Sequence, residues 1–113
     1  MTVILSKWPG GHKFKNKPTE VDGILFQSKK EATRWRMLLL LQKAGKIKDL
    51  SRQVSYKLNV NEQKICTYIA DFLYHDVDLD RIVVEDVKGV RTPEYKLKKK
   101  LMLAIYGIEI KET

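Results

Sequence analysis

Two strand-like segments of this 113-residue chain each carry an aspartate towards the end of an apolar alternation, and the second adds a lysine two residues on. Side chains of an extended strand alternate sides. Over residues 65–74 one face therefore holds Ile65, Thr67, Ile69, Asp71 and Leu73, and over residues 82–88 one face holds Ile82, Val84, Asp86 and Lys88. Both faces are expected to be apolar until they reach the acid. The connection from His75 to Asp80 is polar and short enough for an antiparallel hairpin. Any register pairing residues whose numbers sum to an odd value then puts Asp71 and Asp86 on one face, roughly 5–8 Å apart. Two carboxylates that close repel unless a cation lies between them. Lys88 is one candidate cation and a divalent metal is the other. Carboxylate oxygens suit Mg2+ or Mn2+, which keep some waters and accept phosphate oxygens as further ligands.

Glu31 offers a third acid. It shares a helix face with Trp35, Leu38 and Gln42 at i, i+4, i+7 and i+11, at the edge of the core-facing side. From there it could look across at the acidic end of the sheet. A rival role is open, because Ser28-Lys29-Lys30-Glu31 is a capping box in which Glu31 satisfies the Ser28 main chain, worth about 1 kcal/mol. Other acids read as structural. Glu85 points with Val83 and Val87 to the opposite face. Asp76, Asp78 and Asp80 imitate the opening of a calcium-binding loop, but its central Gly is Arg81 and its closing Glu is Val87. Glu20 and Asp22 are runner-up acids, and Asp22 is more simply a turn residue.

The elements that must position these groups follow from local signals. Residues 19–27 read as a hairpin turning at Asp22-Gly23. Ser28 opens a helix that runs to about Ala44 and stops at Gly45; Leu39 and Leu41 widen its apolar arc, so substantial burial is expected. Strands are predicted over residues 53–58, 65–74 and 82–88. Thr92-Pro93 then starts a second helix that Gly107 closes, with an apolar stripe of Leu97, Leu101, Ala104 and Ile105 and a cluster of Lys96, Lys99 and Lys100 elsewhere. A last strand is expected over residues 108–110. The order predicts an α/β fold of the α-β-β-β-α-β kind, a mixed sheet flanked by helices. It forms a single domain over residues 19–113 behind a basic arm over residues 1–18.

Composition narrows the partners. With 22 Lys+Arg against 14 Asp+Glu the formal charge is +8, which points to a polyanionic partner, either nucleic acid or an anionic membrane surface. At 43% hydrophobic residues the chain can build one core. Cys66 is the only cysteine, so no internal disulfide can form, and His12 and His75 stand apart from any zinc-type cluster. Trp35 reads as core, while Trp8, in the basic arm, could stack on a base. No apolar run approaches a membrane span and no signal peptide is evident, so a soluble cytoplasmic protein with no membrane partner is expected.

Taken together, Ser28-Lys29-Lys30-Glu31-Ala32, Tyr68-Ile69-Ala70-Asp71-Phe72 and Val84-Glu85-Asp86-Val87-Lys88-Gly89 resemble the three motifs of PD-(D/E)XK nucleases. The arrangement is similar to phage endonuclease-I-type Holliday junction resolvases, and closer still to small phage and prophage endodeoxyribonucleases. Ala70 stands where that motif often has proline. The resemblance implies a restriction-endonuclease-like core and a Mg2+- or Mn2+-dependent endonuclease acting on DNA, located in the host cytoplasm if phage-encoded. It implies metal ligation by Asp71, Asp86 and the Val87 carbonyl, with Glu31 holding a second metal or a water, and Lys88 stabilising charge on the phosphate. Arg91, Lys96, Lys99 and Lys100, which follow directly, are the expected DNA contacts. Cutting a four-way junction would need two active sites, hence a homodimer. The competing class is a non-catalytic basic DNA-binding or phage accessory module, indifferent to loss of the acids.

Overall fold

The first turn is fixed by backbone conformation. Asp22 and Gly23 both adopt positive φ (51° and 80°), the geometry a two-residue hairpin needs, and β1 (Thr19–Val21) pairs antiparallel with β2 (Ile24–Phe26). The computed structural model describes residues 18–113, so the expected basic arm, Trp8 included, lies outside the described residues except for Pro18. Val21 and Phe26 are buried and pack beneath α1 (Lys29–Lys43). The Glu31 N–H donates to Ser28 Oγ at 3.1 Å to cap this helix, and Gly45 (φ 79°) follows its end. Its inward stripe carries Glu31, Ala32 and Leu38, with Trp35 between the rings of Phe26 and Phe72. Met37 and Leu40 are exposed, so the helix is buried along one stripe rather than around most of its girth; a helix lying on one sheet face has only one side to cover.

Four strands form the main sheet: β3 (Ile47–Val60), β4 (Gln63–Asp76), β5 (Arg81–Asp86) and β6 (Lys111–Glu112), in that spatial order. The first three are antiparallel and β6 joins β5 in parallel, so the sheet is mixed. Val83 packs into the cluster under α1, and its neighbour Val84 into a second cluster under α2 (Pro93–Tyr106). Strand alternation therefore places the helices on opposite faces, an α/β architecture in the α-β-β-β-α-β order expected, preceded by the hairpin. Among the described residues no helix is long and apolar enough to cross a membrane.

Four local expectations are corrected. On β4 the deeply buried residues are Tyr68, Ala70, Phe72 and Tyr74, whereas Ile65 is 51% exposed and Ile69 is also exposed. Tyr68 and Ala70 belong to the α2 cluster, and Phe72 and Tyr74 to the α1 cluster. One strand face thus passes from one helix to the other near Asp71, across from Gln53 with φ 55°. Only residues 72–76 of β4 pair with β5; beyond them the β3–β4 ribbon is two-stranded and free to twist strongly. On α2 the buried residues are Tyr95 and Met102, flanked by partly buried Leu101 and Ile105, while Leu97 and Ala104 face outward. Finally, β6 starts at Lys111, because residues 108–110 carry the chain from Gly107 down to Ile110, which is buried in the core. β5 likewise ends at Asp86, short of Lys88, although the Lys88 N–H still donates to the Thr113 carbonyl at 3.0 Å.

Candidate active site

The β4–β5 ladder pairs Phe72 with Glu85 and Leu73 with Val84. The paired numbers sum to an odd value, so one step further along sets Asp71 across from Asp86, on the face that also carries Val84. The Val87 N–H donates to Asp71 Oδ2 at 2.8 Å, tying the first acid to the chain just past the second. Asp86 is 4% exposed. Its Oδ2 accepts the Tyr68 hydroxyl at 2.6 Å, and its Oδ1 lies 3.2 Å from Lys88 Nζ. Lys88 Nζ also sits over the Tyr95 ring, 3.8 Å from its centroid, while its side chain keeps 18% of its surface open to solvent. An ammonium held between a carboxylate and an aromatic face, yet reachable from outside, is placed to meet a bound anion.

Burial dominates the electrostatics. It pushes Asp71 up to about 9, helped by the hydrogen bond to Asp86 and by the charges of Asp86 and Glu31, with the Val87 N–H opposing. Burial and two adjacent carboxylates thus both favour the protonated form of the pair over one carrying two full charges. Glu31 is also raised, first by burial and then by Asp86, against the lowering effects of Arg52, a Gln27 main-chain hydrogen bond and Lys88. Burial and then the neighbouring Asp86 charge push the Tyr68 phenol far above its usual range, so it stays a hydrogen-bond donor.

The structure brings Asp71, Asp86 and Lys88 together and sets Glu31, buried in the first turn of α1, within electrostatic reach of them. Of the capping box foreseen, the Ser28 Oγ half is formed, while the buried Glu31 carboxyl bonds the Gln27 main chain rather than that of Ser28. Among the described residues no three Asp, Glu, His or Cys side chains converge as a ready ligand set. The acid pair nevertheless fits Mg2+, which is typically held by one or two carboxylates and completed by waters and phosphate oxygens. A divalent cation would also offset the repulsion between the two carboxylates.

Glu85 is fully buried on the other face. Arg34 grips it in two places (Nε 2.6 Å, Nη2 3.0 Å), and Tyr74 and Thr113 hydroxyls donate to it at 2.6 and 3.1 Å. Burial alone would raise its carboxyl, but Arg34, Tyr74 and Thr113 outweigh that and hold it below the usual range. In the loop between β4 and β5, Asp76 Oδ1 accepts the Leu79 N–H at 3.0 Å and Asp80 meets His75 at 2.9 Å, a hairpin turn rather than a calcium loop.

The four expected DNA contacts, Arg91, Lys96, Lys99 and Lys100, line one groove of about 430 Å3 alongside Tyr95 and Glu112. Glu112 Oε1 accepts Arg91 Nε at 3.0 Å; Oε2 accepts the Tyr95 hydroxyl at 2.6 Å and lies 3.3 Å from Lys99 Nζ. Lys96 and Lys100 enter no ion pair among the described residues. Tyr95 joins groove and acid pair, its hydroxyl on Glu112 and its ring beneath Lys88.

Parity reasoning on the strands misses Tyr68, whose number puts it on the face opposite Asp71; the change of face near Gln53 leaves it on Asp86. It also misses Arg52, whose guanidinium lies 5.0 Å from the Phe26 ring centroid and whose charge acts on Glu31. Tyr95 and Glu112 carried no separate signal, since both depend on how α2 and β6 dock.

The chain belongs to the family described as "Protein of unknown function (DUF1064)", which matches residues 11–113. Neither a curated protein nor a solved structure matches it.

Proposed function

We propose that this member of the family is a Mg2+- or Mn2+-dependent endodeoxyribonuclease, with Asp71, Asp86, Lys88 and Glu31 as its catalytic set. The observation that carries the reading is the Asp71–Asp86 pair, Asp86 buried, with the Val87 N–H 2.8 Å from Asp71, Lys88 Nζ 3.2 Å from Asp86, and a groove lined by Arg91, Lys96, Lys99 and Lys100 next to it. Folding alone gives little reason to bury such a cluster, because apolar residues of similar volume usually stabilise a core as well or better.

Asp71 and Asp86 would hold the cation, with the Val87 carbonyl beside them. When bound, it supplies positive charge at the scissile phosphate and makes a nearby water more acidic. Tyr68 fixes the Asp86 carboxylate by its 2.6 Å hydrogen bond. Lys88, anchored by Asp86 and the Tyr95 ring, presents its remaining N–H groups to a non-bridging phosphate oxygen and offsets charge as it accumulates. Glu31, which feels the charges of Asp86 and Lys88, would orient the attacking water. Attack of water oxygen on phosphorus breaks the bond to the leaving sugar oxygen, and the proton lost by the water is balanced by the one that oxygen gains. Arg91, Lys96, Lys99 and Lys100 track the flanking backbone.

The test is to incubate the protein with supercoiled plasmid, linear duplex and a synthetic four-way junction in Mg2+, Mn2+ or EDTA, beside Asp71→Ala and Lys88→Ala. Cleavage by the wild type alone, abolished by EDTA, is expected. Preference for the junction, with dimers in solution, would assign a branched substrate as in phage recombination. Binding of every substrate without cleavage by any form would make the chain a DNA-binding module instead.

A further inference from the structure

Glu112 holds the position that a DNA phosphate would be expected to take. Its two oxygens gather the donors that phosphodiesters attract: the Arg91 guanidinium, with Nε and Nη2 each 3.0 Å from Oε1, and on Oε2 the Tyr95 hydroxyl at 2.6 Å and Lys99 Nζ at 3.3 Å. Forked guanidinium donation with a lysine and a hydroxyl suits a tetrahedral oxyanion as well as a carboxylate. All three donors border the same groove as Lys96 and Lys100, which enter no ion pair among the described residues; the groove wall is mostly apolar, with Leu103 and Ile110, so a polyanion would meet the cations along its border, where Glu112 lies.

The contacts are also of a kind that can be exchanged. Arg91 and Lys99 keep 53% and 40% of their side-chain surface exposed against 16% for Glu112, so a second anion can approach both cations from solvent. Glu112 ends the short strand β6, so its side chain can leave the groove without disturbing the core beneath.

We infer that Arg91, Tyr95 and Lys99 form a seat for one backbone phosphate of DNA, and that Glu112 occupies this seat as an internal surrogate until DNA displaces it. That DNA is the ligand rests on the nuclease reading above. The seat lies one ring away from Lys88, whose Nζ covers Tyr95. Filling it therefore aligns a phosphate close to the one being cut, and the surrogate lowers affinity for any DNA that cannot compete with it.

Fluorescence anisotropy of a short labelled duplex, in EDTA and across a range of KCl concentrations, tests the seat. Glu112→Gln should bind about fivefold more tightly, with a salt slope steeper by about 0.9, the increment for one additional phosphate neutralised. Arg91→Gln should cost more affinity in the Glu112→Gln background than in the wild type, where Glu112 already occupies the arginine. Equal or weaker binding by Glu112→Gln, with the same cost of Arg91→Gln in both backgrounds, overturns the inference. If the glutamine form fails to fold, the Arg91 Nε–H resonance of the wild type decides: it must shift on adding duplex, and an unmoved resonance overturns the seat. Tighter binding by Glu112→Gln without cleavage in Mg2+ keeps the seat and removes the nuclease. Cleavage with no Glu112 effect does the reverse.

Discussion

Tyr68→Phe separates a positioning hydrogen bond from a merely structural one, because the molecule contains its own control. Tyr68 donates to Asp86 at 2.6 Å on one face of the sheet, and Tyr74 donates to Glu85 at the same 2.6 Å on the other. Both tyrosines are 3% exposed, and both carboxylates are buried. Losing a buried hydrogen bond to a charged group costs about 1.5–3 kcal/mol, so each Phe variant should unfold at lower urea by a comparable amount. Their functional effects should diverge. Without Tyr68, Asp86 Oδ2 has lost the donor that fixes its orientation, and removing such an outer partner typically lowers metal affinity or activity about 10–100-fold. The Mg2+ concentration for half-maximal plasmid nicking should therefore rise by about that factor in Tyr68→Phe and stay unchanged in Tyr74→Phe. If both variants shift Mg2+ dependence equally, or neither does, Asp86 is not positioned through Tyr68 and the proposed ligand role fails with it.

Asp71→Asn removes an acid crowded by Asp86 and Glu31, so in EDTA the variant should melt at a higher temperature than the wild type; adding Mg2+ should raise the melting temperature of the wild type but not of the variant, and a variant less stable in EDTA would contradict the crowding. Glu85 titrates below the usual carboxylate range when folded, so its stabilisation is full above an unfolded pKa of about 4.3 and is lost as pH falls through the lower folded value. Glu85→Gln should flatten that acid limb when stability is followed by circular dichroism from neutral to low pH. Arg34→Leu strands the buried Glu85 charge and should cost about 3–5 kcal/mol in urea unfolding. Lys96→Gln and Lys100→Gln should each reduce the salt slope of DNA binding by about 1 with little effect on stability.

Much of the site was legible because its decisive rules are local. Period-two alternation separated Asp86 from Glu85, and the structure gives them opposite faces and opposite surroundings: Tyr68 and Lys88 on one, Arg34 and Tyr74 on the other. Asp22-Gly23, Ser28, Thr92 and Gly107 marked turns and helix ends through backbone conformation and a single hydrogen-bonding side chain, needing no distant partner. The pairing of Asp71 with Asp86 followed once the loop between their strands was read as a hairpin.

What stayed hidden depends on how the elements meet in the whole fold. The switch of strand face on β4 falls between Ala70 and Phe72, opposite Gln53 with its positive φ, and leaves Tyr68 and Ala70 against the helix opposite the one that Phe72 meets, so parity mistook exposed Ile65 and Ile69 for core. Helix periodicity offers several neighbouring stripes, and only docking chose Tyr95 and Met102 over Leu97 and Ala104. Glu112 looked like one more terminal acid until the parallel pairing of β6 with β5 set it among Arg91, Tyr95 and Lys99. The sequence by itself determined the turns and helix ends and set Asp86 and Glu85 on opposite sides of their strand. Tertiary structure decided which side chains meet, because that depends on changes of strand face, docking and strand order, which no local pattern encodes.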